Sequence, residues 1–228
     1  MTEPRVTSFD LVIFDNDGVL VDSEPVANRV LAALLTEYGF PCTPEDSIAR
    51  FMGHSVPQVR AMVEGELGRP LPAELESRYR DELYPTFRQW LRPIPGIVEA
   101  LGTIGGAVCV ASSGTHERIR LTLGCTGLWD RFGGRVFSAE DVTRGKPAPD
   151  LFLHAAVSLG ADPRRCAVVE DSPAGVTGAN AAGMTSFGFA RLVPAERLAH
   201  ATGAVFTEMR ALPALLGRAA AAASETDR

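Results

Sequence analysis

Short apolar runs and helical patterns alternate along most of the chain. The apolar runs predict buried strands, at residues 10–14, 107–111, 135–137, 166–169, 184–187 and 204–206. Stretches with helical spacing lie between the later runs, at about 115–123, 150–159 and 172–182. This alternation predicts an α/β fold built on a doubly wound parallel (Rossmann-like) sheet.

Two of these helices begin with residues that can cap them. Asp150 is placed to cap the helix at 150–159. Ser172 is placed to cap the next helix, with Pro173 at its first position.

The segment after the first strand has a different pattern. Residues 24–38 show helical spacing, and Gly39 is a plausible end for this helix. Charged sequence of helical character follows, without a strand pattern, as far as a rigid, proline-containing linker at 92–96. We therefore expect a core with a helical insert after its first strand, the core comprising residues 1–22 and 93–228 and the insert residues 23–92.

Composition and charge narrow the class of protein. Of the 228 residues, 46% are hydrophobic and 22% are charged, which is typical of a soluble globular protein. A formal net charge of −6 provides no general attraction to nucleic acid or to an anionic membrane, so we expect neither as a partner. A small anionic substrate stays compatible with this charge, because a local pocket can be positive on an acidic protein.

The polar start of the sequence and the spacing of its cysteines indicate the cellular compartment in which the protein is expected. Residues 1–8 are polar and do not form a signal-peptide pattern, and no apolar run is long enough to span a membrane. The four cysteines contain no CxxC pair: Cys42, Cys109, Cys125 and Cys166. We expect reduced thiols in a cytoplasmic protein.

Pairs of acidic residues follow two of the predicted strands. Asp15 and Asp17 follow the first strand and precede Gly18, and Glu170 and Asp171 follow the strand at 166–169. Ligands of doubly wound sheets bind beyond the carboxyl ends of the strands. Acids beside a buried strand are costly unless they hold a cation or take part in chemistry. The alternatives are a surface turn at the first pair and a second helix cap at Asp171.

A hydroxyl and a lysine complete the set at the same edge. Ser112, Ser113 and Gly114 follow the second strand, where a hydroxyl and backbone N–H groups at a helix start suit an anion, although an ordinary helix cap is the simpler alternative. Lys146 lies in a loop stiffened by Pro147 and Pro149, and the alternative for it is a solvated surface lysine.

The acids, the lysine and the hydroxyl together indicate phosphoryl transfer more strongly than any one of them does alone. Carboxylate oxygens suit Mg²⁺, and the lysine and hydroxyl suit phosphoryl oxygens. Such a reaction depends on positioning and on charge neutralisation.

These segments resemble the four motifs of the haloacid dehalogenase superfamily, in its phosphatase and phosphomutase branch. Asp15-x-Asp17-Gly-Val-Leu-Val-Asp-Ser-Glu is similar to the first motif, and Ser112 to the second. Lys146, in Lys-Pro-Ala-Pro-Asp, is similar to the third, and Glu170-Asp-Ser-Pro-Ala-Gly to the fourth. The resemblance spans nearly the whole chain, with the motifs in the family's order.

The resemblance implies roles for the acidic residues. Asp15 would be the nucleophile that becomes an aspartyl phosphate, and Asp17 the general acid and then the base. Mg²⁺ would be held by Asp15, the backbone carbonyl of Asp17 and Asp171, with Glu170 close by or ligating. Dehalogenases of the superfamily lack the second acid of the first motif, so the presence of Asp17 favours phosphoryl chemistry.

The resemblance also assigns phosphate-binding groups and a cap. Ser112 and the Ser113 N–H would bind the transferring phosphoryl group, and Lys146 would neutralise its charge. The insert resembles the small helical cap that closes over the site in this branch and reads the substrate beyond its phosphate. The candidate substrate contacts are Arg50, His54 and, on the core side, His116.

Two other functions stay open at this point. A β-phosphoglucomutase-like enzyme would carry a histidine and an arginine on the cap, where this chain has Ala27 and Val56. A non-catalytic phospho-ligand binder would usually have lost the nucleophile or a metal ligand, and none is lost here. The expected substrate is a sugar phosphate, a sugar-acid phosphate or phosphoglycolate, and the sequence does not distinguish among these three. It does not indicate an oligomeric state either.

Overall fold

The structure is a computed structural model that describes residues 9–52 and 54–226, with side chains as far as residue 221. The predicted absence of a signal peptide and the predicted start of the core concern residues 1–8, which lie outside the described residues.

One parallel sheet is formed by the strands of the described residues. They are β1 (Leu11–Phe14), β2 (Ala107–Ser112), β3 (Val136–Ser138), β4 (Cys166–Glu170), β5 (Thr185–Phe189) and β6 (Ala204–Phe206). The strand order is β3-β2-β1-β4-β5-β6, and every pairing is parallel. The prediction of a doubly wound parallel sheet is therefore confirmed.

The helices lie between these strands and after the last of them. They are α1 (Glu24–Glu37), α2 (Pro44–Phe51), α3 (Val56–Leu67), α4 (Leu75–Trp90), α5 (Ile97–Thr103), α6 (His116–Cys125), α7 (Trp129–Phe132), α8 (Asp150–Ser158), α9 (Pro173–Ala181) and α10 (Leu212–Thr226). The sequence pattern predicts α1, α6, α8 and α9 individually, whereas α5, α7 and α10 were not predicted.

The chain divides into two compact units. One runs to Val21 and resumes at Pro93, and it contains the sheet. The other comprises Asp22–Arg92 and contains α1 to α4, with no strand among its described residues. The roles of the two units as catalytic core and cap stay a prediction.

Helices cover both faces of the sheet, which explains why the central strand β1 is apolar throughout. Leu11 and Ile13 of β1 belong to a buried cluster with residues of α8 and α9. On the opposite face the ring of Phe14 packs edge-on against Phe132 of α7, with centroids 6.4 Å apart. Burying a side chain of this size contributes about 1.5–3 kcal/mol. The central strands therefore form a firm base for the loops at their carboxyl ends.

The two predicted helix caps have different outcomes. Ser172 caps α9 by accepting a hydrogen bond from the backbone N–H of Gly175 at 3.0 Å, as predicted. The prediction for Asp150 is wrong, because Pro149 is the N-cap residue and no side chain caps α8. Asp150 is instead the first helical residue, and its carboxylate accepts hydrogen bonds from Arg144 at 3.0 and 3.1 Å.

The cysteines of the described residues form no disulfide. All four cysteines are free thiols, and those of Cys109 and Cys166 are buried in β2 and β4. Burial raises the pKa of the Cys166 thiol to about 11. None of the helices in the described residues has the length and apolar character needed to cross a membrane.

Candidate active site

The predicted nucleophile, the phosphate-binding hydroxyl and the predicted metal-binding acids lie at the carboxyl ends of three adjacent strands. β1 lies between β2 and β4, with Phe14 in register with Val110 and Val169. Asp15, directly after β1, is therefore level with Glu170 at the end of β4 and with Ala111, one residue before the end of β2 at Ser112. The strand order alone brings a nucleophile candidate, a hydroxyl and an acid together.

Lys146 is buried between two of the carboxylates. Its ammonium donates hydrogen bonds to Asp15 Oδ1 at 2.6 Å and to the backbone carbonyl of Ala111 at 2.9 Å, and it also donates to Glu170 Oε1. The Lys146 side chain is only 5% exposed, which excludes the alternative of a solvated surface lysine. The loop before α8 thus carries a fixed positive charge into the site.

Burial and charge together perturb the pKa values of this pair. Burial raises the pKa of Asp15 to about 7; the ammonium of Lys146 opposes this shift, and the carboxylate of Glu170 adds to it. Burial opposes the charge of Lys146, but the two carboxylates outweigh it and raise the pKa of the ammonium above its ordinary value. Strongly perturbed groups of this kind cluster at functional sites.

Glu170 is fixed by partners on both of its oxygens. Oε1 accepts from Lys146, and Oε2 accepts from the backbone N–H of Ser172 at 3.2 Å and from its hydroxyl at 2.8 Å. A Cβ on Gly175 would lie 1.8 Å from the Glu170 carboxyl carbon. The glycine that ends the fourth motif is therefore required by the position of this buried carboxylate.

Asp171 lies against Gly18 of the first motif, as Glu170 lies against Gly175. Gly18 has a φ of +79°, and a Cβ there would lie 1.9 Å from Asp171 Oδ2. Glycine at this position thus supplies both the turn and the room for the acid.

The acids form a cluster that could hold a metal ion. Ligand atoms of Asp15, Glu170 and Asp171 all lie within 4.8 Å of one another. The donors are carboxylate oxygens, which hard divalent cations prefer. When ionised, these three groups outnumber the single charge of Lys146 by two, and this charge fits a divalent cation. The structure therefore brings together three of the four predicted metal-binding residues by their side chains.

The loop after β2 is held in place by its own hydrogen bonds. Ser112 is buried, and its Oγ accepts from the backbone N–H of Gly114 at 3.1 Å, while Ser138 donates to the Gly114 carbonyl at 2.6 Å. The residue that caps α6 is Thr115, which accepts from the backbone N–H of Arg118. The ordinary helix-cap alternative for Ser112 is therefore wrong. Ser113 is exposed at the same turn.

Asp17 is held by a residue that the sequence analysis missed. Its Oδ1 accepts from Arg118 Nη2 at 2.8 Å, and its Oδ2 accepts from Asn16 Nδ2 at 3.3 Å. The prediction assigns the backbone carbonyl of Asp17, and not this carboxylate, to the metal. A signal for Arg118 exists in the sequence, because a cation in the first turn of a helix opposes the helix dipole and needs another reason to be there.

The three predicted substrate contacts are described within their own units. His116 is about half exposed, and its Nε2 lies 2.8 Å from Asp141 Oδ1. Within the insert unit, Arg50 pairs with Glu66, and its guanidinium lies 5.1 Å from the centre of the Phe40 ring. His54 is exposed. Their roles as substrate contacts stay predictions.

Comparisons with known proteins identify the family to which this chain is similar. The sequence model of the haloacid dehalogenase-like hydrolase family matches residues 9–183 of this chain. The 6-phosphogluconate phosphatase of Escherichia coli K12 is 32% identical over 211 residues, covering 92% of this chain and 96% of that protein. Hexitol phosphatase A of the same organism is 32% identical over 176 residues, covering 75% and 78%. A crystal structure of a conserved haloacid dehalogenase-like protein of unknown function from Agrobacterium tumefaciens is 38% identical, with a TM-score of 0.84, covering 92% of this chain and 98% of that one.

Proposed function

Because the chain belongs to the haloacid dehalogenase-like hydrolases, we propose that it is a phosphatase that hydrolyses a small phosphorylated sugar or sugar acid through an aspartyl phosphate on Asp15. The observation that carries the proposal is the buried ammonium of Lys146 held between Asp15 and Glu170. A lysine so placed neutralises charge on a phosphoryl group that approaches Asp15.

The covalent step assigns complementary roles to the two acids of the first motif. Asp15 attacks phosphorus and forms the P–O bond, while Asp17 donates a proton to the leaving oxygen. A water then attacks the aspartyl phosphate, and Asp17 takes its proton. Both acids are restored, and inorganic phosphate leaves.

The remaining groups of the site bind the phosphoryl oxygens. We assign Ser112 Oγ and the Ser113 N–H to them, together with Lys146. The supporting observations are the buried hydroxyl of Ser112 and its bond to the Gly114 N–H, which fix the loop before α6. Fixed donors of this kind need no reorganisation when charge develops.

Mg²⁺ is the metal that this donor set fits best. We assign Asp15, Asp171 and the backbone carbonyl of Asp17 to it, with Glu170 adjacent; Glu170 already accepts hydrogen bonds on both oxygens. When bound, Mg²⁺ would neutralise phosphoryl charge and orient the group for in-line attack.

The substrate class follows from the relatives and from the cap positions. The 6-phosphogluconate and hexitol phosphatases are named for phosphorylated polyhydroxy compounds, and we propose the same class for this chain. The insert would act as the cap that reads the hydroxylated part, with Arg50 and His54 as candidates there and His116 in the sheet unit.

A phosphomutase would need a cationic grip on a second phosphate. By the resemblance, the positions where mutases carry their histidine and arginine hold Ala27 or one of its neighbours, and Val56. Arg50, the candidate substrate-contacting cation of the insert, is paired with Glu66. We therefore propose hydrolysis over isomerisation.

A panel of phosphorylated metabolites tests the proposal. 6-Phosphogluconate, hexitol phosphates, hexose phosphates and phosphoglycolate are compared by kcat/KM for phosphate release with Mg²⁺ present. We expect the polyhydroxylated substrates to rank highest, and Asp15→Asn protein to release no phosphate from any of them. Absence of phosphate release from the whole panel would refute the assignment.

A further inference from the structure

Arg118 meets the carboxylate of Asp17 from the first turn of α6. The guanidinium donates to Oδ1 at 2.8 Å, and both side chains are largely sheltered, with 22% of Arg118 and 19% of Asp17 exposed. A partly buried pair of this kind is screened less than a surface ion pair. The contact joins α6 to the loop after β1 across 101 residues of sequence.

The space over Gly114 places this pair beside Ser112. A Cβ on Gly114 would lie 3.5 Å from Arg118 Cδ, 3.5 Å from Ser112 Oγ and 3.8 Å from Asp17 Oδ2. The three side chains therefore converge on one small volume. Asp17 Oδ2 is on the side of the Ser112 hydroxyl, where the proposed phosphoryl site lies.

The local structure of the helix does not explain an arginine at this position. Arg118 is in the first turn of α6, whose backbone N–H groups carry partial positive charge that disfavours a cation. Its backbone N–H is satisfied by the Thr115 hydroxyl, a bond that any residue type could make. The side chain therefore gains its stabilisation from Asp17 and the groups around it.

We propose that Arg118 is the positioning residue for Asp17: it holds Oδ1 so that Oδ2 is the oxygen that exchanges protons. This inference rests on the proposed function. In the first half-reaction the P–O bond to the leaving group breaks, and that oxygen takes the proton from Oδ2. In the second, a water oxygen attacks phosphorus, its proton goes to Oδ2, and the bond to Asp15 breaks. Arg118 keeps its charge throughout.

The leaving group separates positioning of Asp17 from a general structural effect. Release of an alkoxide from a sugar phosphate needs a proton, whereas release of p-nitrophenolate needs none. kcat/KM reports the steps up to formation of the aspartyl phosphate. Arg118→Gln should therefore lower kcat/KM for 6-phosphogluconate roughly 10- to 100-fold and leave that for p-nitrophenyl phosphate nearly unchanged.

A double-mutant cycle with Asp17 tests the coupling directly. If Arg118 acts through Asp17, the Asp17→Asn/Arg118→Gln protein should match Asp17→Asn within about twofold. Arg118→Lys should recover part of the activity by keeping a positive donor. Arg120→Gln is the control on the same helix, because the Arg120 guanidinium lies over the Trp129 ring at 4.8 Å, and it should behave as wild type.

The outcomes distinguish this inference from the proposed function. Three results would each overturn the role of Arg118 in a working phosphatase. The first is an equal loss of kcat/KM on 6-phosphogluconate and p-nitrophenyl phosphate in Arg118→Gln, and the second is wild-type rates in that variant. The third is a double mutant whose loss equals the product of the two single losses. No phosphate release by the wild-type protein would instead overturn the proposed function. If circular dichroism shows that Arg118→Gln does not fold, the cycle and the substrate comparison are run with Arg118→Lys, for which smaller losses of the same pattern are expected.

Discussion

Replacing Gly175 with alanine should disturb the site through a single added methyl group. Gly175 is in the first turn of α9, and its φ is not in the left-handed region, so alanine can adopt the backbone. Helix propensity alone would favour the change by about 1 kcal/mol. Any loss of stability or activity must therefore come from the side chain that the new Cβ meets.

The size of the effect follows from the distances around that Cβ. It would lie 1.8, 2.0 and 2.2 Å from the three terminal atoms of the Glu170 carboxylate. A normal contact needs about 3.5 Å, so the carboxylate or the helix must move by more than 1 Å. Glu170 is 1% exposed and tied to Lys146 and Ser172, so this movement disturbs the lysine as well.

We expect a net destabilisation of about 1–3 kcal/mol, which lowers the melting temperature by roughly 2–12 °C. A displacement of this size near the reacting groups should lower kcat/KM on 6-phosphogluconate by at least about tenfold. Thermal unfolding and a phosphate-release assay measure the two effects on one preparation.

Gly124→Ala is the matched control. It is also a helical glycine, in α6, and a Cβ there has nothing within 4 Å. It should gain up to about 1 kcal/mol from helix propensity and keep wild-type activity. If Gly175→Ala were as stable and as active as Gly124→Ala, Glu170 would not be fixed in the way that the structure shows.

Further predictions follow from the chemistry of the site. Asp15→Asn should keep the fold and lose turnover, because an amide is a poor nucleophile; turnover within about tenfold of wild type would exclude the covalent route. Asp17→Asn should cost about 10²–10⁴-fold in rate with metal binding largely kept, which metal titration and steady-state kinetics can test together. Chelator should abolish activity, Mg²⁺ restore it and Ca²⁺ inhibit; full activity in chelator would contradict the metal assignment. Phosphorus NMR of glucose 1-phosphate should show phosphate release and no faster conversion to the 6-phosphate, which a mutase would give.

The central part of the site could be predicted because its acids lie at the carboxyl ends of strands that the apolar runs indicate. Asp15 and Glu170 follow apolar runs that could only be buried strands, and parallel strands end at one edge. Lys146 was predicted from its proline-rich loop, although only the structure shows the lysine to be buried between the two acids. The resemblance to known motifs then supplied the roles.

Features that depend on packing between elements were missed or wrong. Arg118 reaches Asp17 because of how α6 is rotated on the sheet, and no local pattern specifies that rotation. Asp150 has the side chain of a capping residue, but α8 already begins at Asp150, so the N-cap position falls on Pro149. The Asp150 carboxylate accepts a hydrogen bond from Arg144 instead. The short helices α5 and α7 offer too few residues for a periodic pattern, and the alanine-rich sequence of α10 hides its apolar face.

The aspartyl phosphate itself is the most direct test of the proposed mechanism. The protein is mixed with 6-phosphogluconate and Mg²⁺, quenched in acid during turnover, digested and analysed by mass spectrometry. We predict one added phosphoryl group on the peptide that contains Asp15, formed and lost at rates that account for phosphate release, and absent from Asp15→Asn protein. Release of phosphate with no phosphorylated peptide at any time, or with the phosphoryl group on another residue, would contradict the account.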